Sequence, residues 1–250
     1  MHIAVLLKRV PETTARVRPA AGGKSVEVQG GESILSTYDE IALERAIQLR
    51  EAGTATRLTA VCLGPADATK ELRKALAMGA DDAVLLVDKE PFRDAASSAA
   101  ALAARVKELG AQAVFCGWKA IDDDSGVVGG YVAALLGWSY ASFAMKIDVE
   151  GGKLVVHREV EGATQVVEVP LPAVVTAQKG LAEPRFASLK GIMAAKKKPL
   201  VETAPAAAAN GSELAAYTPP PDRPPGRIVG EGAAAVPELV RILKDEVHAL

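Results

Sequence analysis

The chain has 250 residues, enough to bury a sizeable core, and its length suits one principal domain with room for an appendage. Lysine and arginine total 29 against 31 aspartates and glutamates, which excludes a global electrostatic pull toward nucleic acid or an anionic membrane. No apolar run approaches the roughly 18 to 20 residues that a membrane span requires, so membrane insertion is not expected.

The N-terminus, Met1-His2-Ile3-Ala4-Val5-Leu6-Leu7-Lys8-Arg9, puts its apolar run before its cations and lacks a secretory cleavage site. It reads as a first strand, continuous in apolar residues as expected when both faces are covered. Ser36-Thr37-Tyr38-Asp39-Glu40 then opens a helix over Asp39 to Arg50, with Ser or Thr suited to the N-cap. Leu58 to Leu63 forms a second buried strand that ends at Gly64-Pro65. A helix over Ala66 to Met78 stops at Gly79, a strand follows over Ala83 to Val87, and an alanine-rich helix runs from Ala95 to Leu109. Ala113 to Cys116 is the next strand, and such alternation predicts βαβ units around a parallel sheet.

Cys62 and Cys116 both fall inside predicted buried strands, which argues for a reducing, cytoplasmic setting and against a disulfide framework. His2, His157 and His248 share no ligand spacing, and no metal site is expected.

The stretch Gly117-Trp118-Lys119-Ala120-Ile121-Asp122-Asp123-Asp124-Ser125-Gly126-Val127-Val128-Gly129-Gly130 follows a strand and leads into a helix ending at Leu136. Ligands in open parallel sheets lie at the carboxyl ends of strands, and a glycine-bearing turn into a helix turns backbone N–H groups toward a phosphate. The sequence lacks GxGxxG and a Walker lysine, so a nucleotide would be held largely by backbone groups. The three aspartates are expected to cap the helix or orient ribose; metal ligation and a plain acidic cap are the alternatives. The Ser36 and Leu63 loops should reach the same sheet edge. The sequence offers no Ser/His/Asp or Cys/His set, which counts against a hydrolase.

Met145 to Val149, Lys153 to Val160 and Gln165 to Val169 are short alternating strands separated by Glu150-Gly151-Gly152 and Glu161-Gly162-Ala163, an antiparallel addition to the sheet. Leu171 to Thr176 is an apolar strand. It feeds a partly apolar loop, about 183–198, with Glu183-Pro184-Arg185-Phe186 and then Leu189-Lys190-Gly191-Ile192-Met193 before Lys196 to Lys198, a surface suited to touching a partner. From Pro199 the composition turns proline- and alanine-rich, so 1–198 reads as the α/β domain and 199–250 as a tail of polyproline character. Helical period returns over Pro237 to Val247, a helix expected to dock on its own domain or on a partner chain.

Taken together, Lys8-Arg9-Val10-Pro11-Glu12-Thr13, Ala75-Leu76-Ala77-Met78-Gly79-Ala80-Asp81, Ala120-Ile121-Asp122-Asp123-Asp124 and the stretch through Lys198 resemble the electron transfer flavoprotein β subunit over nearly the whole chain. The resemblance implies a three-layer α/β sandwich with a mostly parallel, Rossmann-like sheet of the adenine nucleotide α-hydrolase type, added antiparallel strands and a C-terminal tail. It implies a heterodimer with an α subunit that holds most of an FAD, while this chain holds a structural AMP. Electrons would pass from acyl-CoA or related dehydrogenases to a quinone oxidoreductase, with no bond chemistry by this chain. By position, AMP contacts would fall at Leu6, Ser36, Thr37, Tyr38, Asp39, Leu63, and Gly117 through Val128. Leu189 would anchor a recognition loop, with Lys190, Ile192 and Met193 beside it. The family commonly has Asn-Pro where Ser36-Thr37 stands and glutamine where Val127 stands. A related branch binds a second FAD and bifurcates electrons, and a stand-alone nucleotide-binding enzyme or stress-type protein on a similar sheet is the competing class.

Overall fold

The structure, a computed structural model, describes residues 1–90 and 92–250 and divides into two compact units, Met1–Tyr217 and Thr218–Leu250. The first begins with β1 (His2–Leu7), β2 (Arg9–Pro11), β3 (Arg16–Pro19), β4 (Val26–Gln29), β5 (Ser33–Leu35) and helix α1 (Thr37–Glu51). Next come β6 (Arg57–Gly64), α2 (Thr69–Met78), β7 (Asp82–Val87), α3 (Ala95–Leu109), β8 (Ala113–Gly117) and α4 (Val128–Leu136). Then follow β9 (Ser139–Glu150), β10 (Lys153–Val160), β11 (Ala163–Pro170), β12 (Ala173–Ala177), α5 (Leu189–Ala195) and β13 (Leu200–Thr203).

Nine strands form one sheet in the order β11-β10-β9-β12-β8-β1-β6-β7-β13. From β9 to β13 every neighbouring pair is parallel, while β9, β10 and β11 pair antiparallel, so the sheet is mixed. The continuous apolar strands are explained by two cores that share them residue by residue. Ile3, Val5, Leu7, Leu58, Ala60 and Cys62 face one core with α1 and α2 residues such as Leu43, Ile47, Leu72 and Leu76. Ala4, Leu6, Val61, Val114, Cys116 and Val174 face the other, with Leu102 and Val106 of α3 and Val132 of α4. Period-two alternation between two buried layers demands apolar residues at every position. The result is a three-layer α/β sandwich.

Several elements differ from the sequence reading. β9 is much longer than Met145 to Val149 because its first half pairs with β12 and its second half with β10. The change of partner coincides with a positive φ of 57° at Phe143. The pairs β2 with β5 and β3 with β4 have no counterpart in that reading, since three- and four-residue strands carry too little periodicity to register. Leu200–Thr203 joins the sheet beside β7, so the first unit continues through Tyr217, past the composition change at Pro199.

In the second unit, the expected helix over Pro237 to Val247 is a 3₁₀ turn (Ala233–Ala235), a helix α6 (Val236–Arg241) and a wider π-type turn (Ile242–Glu246). Arg241 pairs with Glu238 and Glu246 at 2.7 and 2.9 Å, and Arg227 with Glu246 at 2.9 Å. Among the described residues, no helix is long and apolar enough to cross a membrane.

Gly129, in the first turn of α4, sets how closely that helix approaches the sheet. A Cβ there would lie 2.5 Å from Thr176 Cγ2 and 3.2 Å from Cys116 Sγ. Gly129→Ala should therefore push α4 off β12 and β8 and cost about 1–3 kcal/mol, as overpacking does. Thermal unfolding checks this; an unchanged melting temperature would show that the helix has slack.

Candidate functional site

The carboxyl ends of β1 and β8 are tied together by one side chain. Asp39, in the first turn of α1 and buried, accepts the Lys8 backbone N–H on Oδ2 at 2.8 Å and the Gly117 N–H on Oδ1 at 2.7 Å. Gly117 is required for this approach, because a Cβ would lie 2.6 Å from Tyr38 Cβ. Burial pushes the Asp39 carboxyl up to about 7, against the two N–H groups and Lys8, which pull it down. Ser36 stands at the N-cap position but its hydroxyl makes no cap bond; it is fully buried and without a partner among the described residues.

Beyond Gly117 the chain turns over the sheet edge. Lys8 Nζ bonds Asp122 and Asp123 at 2.9 Å each, and Lys119 Nζ bonds Asp124 at 2.6 Å. The expected capping role is therefore corrected: Asp123 accepts the Ser125 N–H at 3.1 Å, and among the described residues no side chain caps α4, whose N-cap position is Val127. The carboxylates neutralise two lysines instead. Burial alone would lower the Lys8 pKa, but Asp122 and Asp123 carry it above the ordinary value. Trp118 sits edge-on to Tyr38 with ring centroids 5.5 Å apart and 5.2 Å from Phe143, and Lys119 Nζ lies 4.7 Å over its ring. Its Nε1 is buried and without a partner among the described residues.

These loops enclose a cavity of about 250 Å³. Of the residues singled out by sequence, Leu6, Asp39, Leu63, Gly117, Trp118, Lys119, Ala120, Asp123, Ser125, Gly126, Val127 and Val128 line it. Ser36, Thr37, Tyr38, Ile121, Asp122 and Asp124 lie outside the lining.

The cavity also has a wall that sequence reasoning missed, formed by Asp88, Arg93, Ser98 and Leu102. Asp88 directly follows β7, so the rule that pointed to the ends of β1, β6 and β8 applies equally there. Arg93 grips Asp88 with Nε at 2.7 Å and Nη2 at 3.0 Å. Cys116 also lines the cavity; both thiols are unpaired, and burial pushes the Cys62 thiol up to about 12.

The 183–198 segment is apart from this lining and is stapled at its base. Arg185 Nε and Nη2 bond the buried Glu44 at 2.8 and 2.9 Å, and the same guanidinium reaches Glu51. Ser188 caps α5 by accepting the Gly191 N–H at 3.0 Å, and Arg73 closes its far end on the Ala195 carbonyl at 2.7 Å. Phe186 is 100% exposed and Leu189 78%, with Ile192 and Met193 exposed beside them. Lys190 is exposed too, whereas Lys198 caps the end of α2 through the Leu76 and Ala80 carbonyls at 2.9 and 2.6 Å.

A mostly parallel three-layer sheet with its cleft at the carboxyl ends of the central strands defines a Rossmann-like α/β protein. A family model for the electron transfer flavoprotein domain matches residues 24–208. Among curated proteins, the "Electron transfer flavoprotein subunit beta" of Bradyrhizobium diazoefficiens is 40% identical over 252 residues, covering 100% of both chains. The mitochondrial one of Oryza sativa subsp. indica is 37% identical over 257 residues, and that of Bacillus subtilis (strain 168) 36% over 260, again covering 100% of both. The chain belongs to the electron transfer flavoprotein β-subunit family.

The Asp39 clamp carries a pH signature. A carboxyl whose folded pKa, about 7, lies above its unfolded value contributes stability that is complete below about 3.9 and is lost as pH rises through 7. Asp39→Asn turns an amide NH₂ toward a backbone donor and should cost about 1–3 kcal/mol. The gap in melting temperature between wild type and variant should narrow between about pH 5 and about pH 8; a constant gap would mean that Asp39 stays ionised throughout.

Proposed function

We propose that this chain is the β subunit of a heterodimeric electron transfer flavoprotein that carries electrons from acyl-CoA or related dehydrogenases to a quinone oxidoreductase. The observation that carries the reading is the exposed apolar row Phe186, Leu189, Ile192 and Met193, held on a base where the half-buried Arg185 pairs with the buried Glu44, in a chain similar to curated β subunits over its full length. A rigidly mounted apolar anchor is what a transient electron-transfer partner can engage and release. The unpaired, buried thiols suit a reducing compartment such as the cytoplasm.

In this reading the cavity holds a structural AMP. Three observations support that fit. Leu6, Leu63, Leu102 and Val128 offer apolar walls for a base and ribose. Gly117 and Gly129 keep the cradle free of side chains where a Cβ would collide. The buried Trp118 Nε1 is a donor awaiting an acceptor. The first-turn N–H groups of α4, unbonded within the helix, would meet the phosphate. FAD, held mainly by the α subunit, supplies the redox chemistry when bound. This chain's residues bind and orient, and make or break no bonds.

Leu189→Ala should leave flavin content unchanged while slowing flavin reduction by the donor dehydrogenase roughly 10- to 30-fold, the effect of one anchor side chain worth about 2 kcal/mol. Stopped-flow reduction of the purified complex measures it, and unchanged kinetics would remove Leu189 from this role.

A further inference from the structure

Helix α4 is composed like a helix with no solvent side. Its sequence, Val-Gly-Gly-Tyr-Val-Ala-Ala-Leu-Leu over Val128–Leu136, contains no charged residue, and a helix that is apolar all round is one that is covered all round. By contrast, α2 turns Lys70 and Lys74 to solvent. One side of α4 is accounted for: Val132 and Ala133 are buried in the core shared with Leu102 and Val106 of α3, and Gly129 lies close against Thr176 and Cys116 of the sheet. The other side is open. Val127, Tyr131 and Leu135, four residues apart and so on one stripe, are 43, 45 and 57% exposed.

Tyr140, at the start of β9, widens the stripe. A Cβ placed on Gly129 or Gly130 would lie 3.8 Å from its ring, and the residue is 42% exposed. Next to it, Arg158 of β10 is half-buried. Arg158 Nη2 donates to the Ser142 hydroxyl at 2.7 Å, while its Nε is buried and without a partner among the described residues. No carboxylate pairs with Arg158 among those residues either, although Arg9, Arg93 and Arg185 each hold one. A guanidinium keeps its charge at any ordinary pH, and a charge withdrawn from water is as a rule paired. Arg158 therefore stands beside an open apolar face as a cation without its anion.

We propose that the α4 stripe, with Tyr140 and Arg158, is a docking surface for the α subunit, which lays an apolar segment on the stripe and seats a carboxylate on Arg158. The inference rests on the heterodimer reading given above. Two separate observations point to one occupant: an uncharged helix whose outer face is uncovered, and an unpaired guanidinium at the edge of that face. Tyrosine and arginine beside aliphatic side chains are the residues that carry protein interfaces. The charge fixes the partner's chemistry, because a guanidinium takes a carboxylate in a forked, charge-assisted grip. An apolar segment without an acid would leave Arg158 buried and unpaired, which is costlier than leaving the face open.

The test labels tyrosines with hydroxyl radicals in the full chain alone and in the flavin-bearing complex co-purified with its α subunit, with oxidation read by mass. Labelling of Tyr131 and Tyr140 should fall about fivefold or more in the complex, because an interface core is packed like a protein interior. Undiminished labelling of both overturns the proposal. Labelling of the chain alone that falls as its concentration rises gives the face to a second copy, and overturns it too. Absence of any flavin-bearing complex instead overturns the heterodimer reading on which the proposal rests. Arg158→Gln should raise the dissociation constant of the complex about tenfold or more, and Arg158→Lys, which keeps the charge and loses the fork, should lie between the two. An unchanged constant for Arg158→Gln overturns the carboxylate seat. The tyrosine comparison needs no substitution, so it decides even where Arg158→Gln fails to fold.

Discussion

The carboxylate of Asp39 reaches out of the first turn of α1 and takes one backbone N–H from the end of β1 and one from the end of β8. Those two strands are neighbours in the sheet, and their carboxyl ends are where the cavity opens. Lys8 lies just past β1 and Gly117 is the last residue of β8, so a bridging acceptor fixes how far the two strand ends splay. Everything above depends on that spacing: where Gly117 lets Tyr38 approach, where Trp118 rests against Tyr38 and Phe143, and where Lys8 meets Asp122 and Asp123. The electrostatic cost of burying the carboxyl shows in its raised pKa.

The same helix also anchors the exposed 183–198 segment. Five residues after Asp39, α1 carries Glu44, buried and bonded to Arg185, so the base of the 183–198 segment is referenced to the element that sets the cavity. Glycine at position 191 and the carbonyl caps from Arg73 and Lys198 pack α5 tightly on α2. Leu189, Ile192 and Met193 of α5 stay exposed while Ala195 at its far end is buried. A surface of this kind presents little conformational entropy to lose on association.

The parallel strands and their helices were legible in the sequence because burial on both faces leaves continuous apolar runs, and helices with one apolar face leave a period. The α3 helix over Ala95–Leu109 and the strand over Lys153–Val160 fall where periodicity puts them. The aspartate loop was legible through its place after a strand and its glycines, but the duties of its carboxylates were not. Whether an aspartate caps a helix or neutralises a lysine from β1 depends on a tertiary approach that no local pattern records. The same holds for Asp88 and Arg93, two residues in an unremarkable polar linker until β7 is placed beside β6. The segment through Asn210 and the strand Leu200–Thr203 lie in composition that reads as tail, and their order comes from long-range hydrogen bonds and from pairing with an edge strand.

Full-length kinship with curated β subunits and a stapled apolar projection make the central claim that this chain works as half of a flavin carrier. The most direct measurement is co-expression with a cognate α subunit, followed by the mass and visible absorption spectrum of the purified product. The account predicts a stable one-to-one complex with a flavin band. A colourless monomer, left unassembled in the presence of the α subunit, would contradict it.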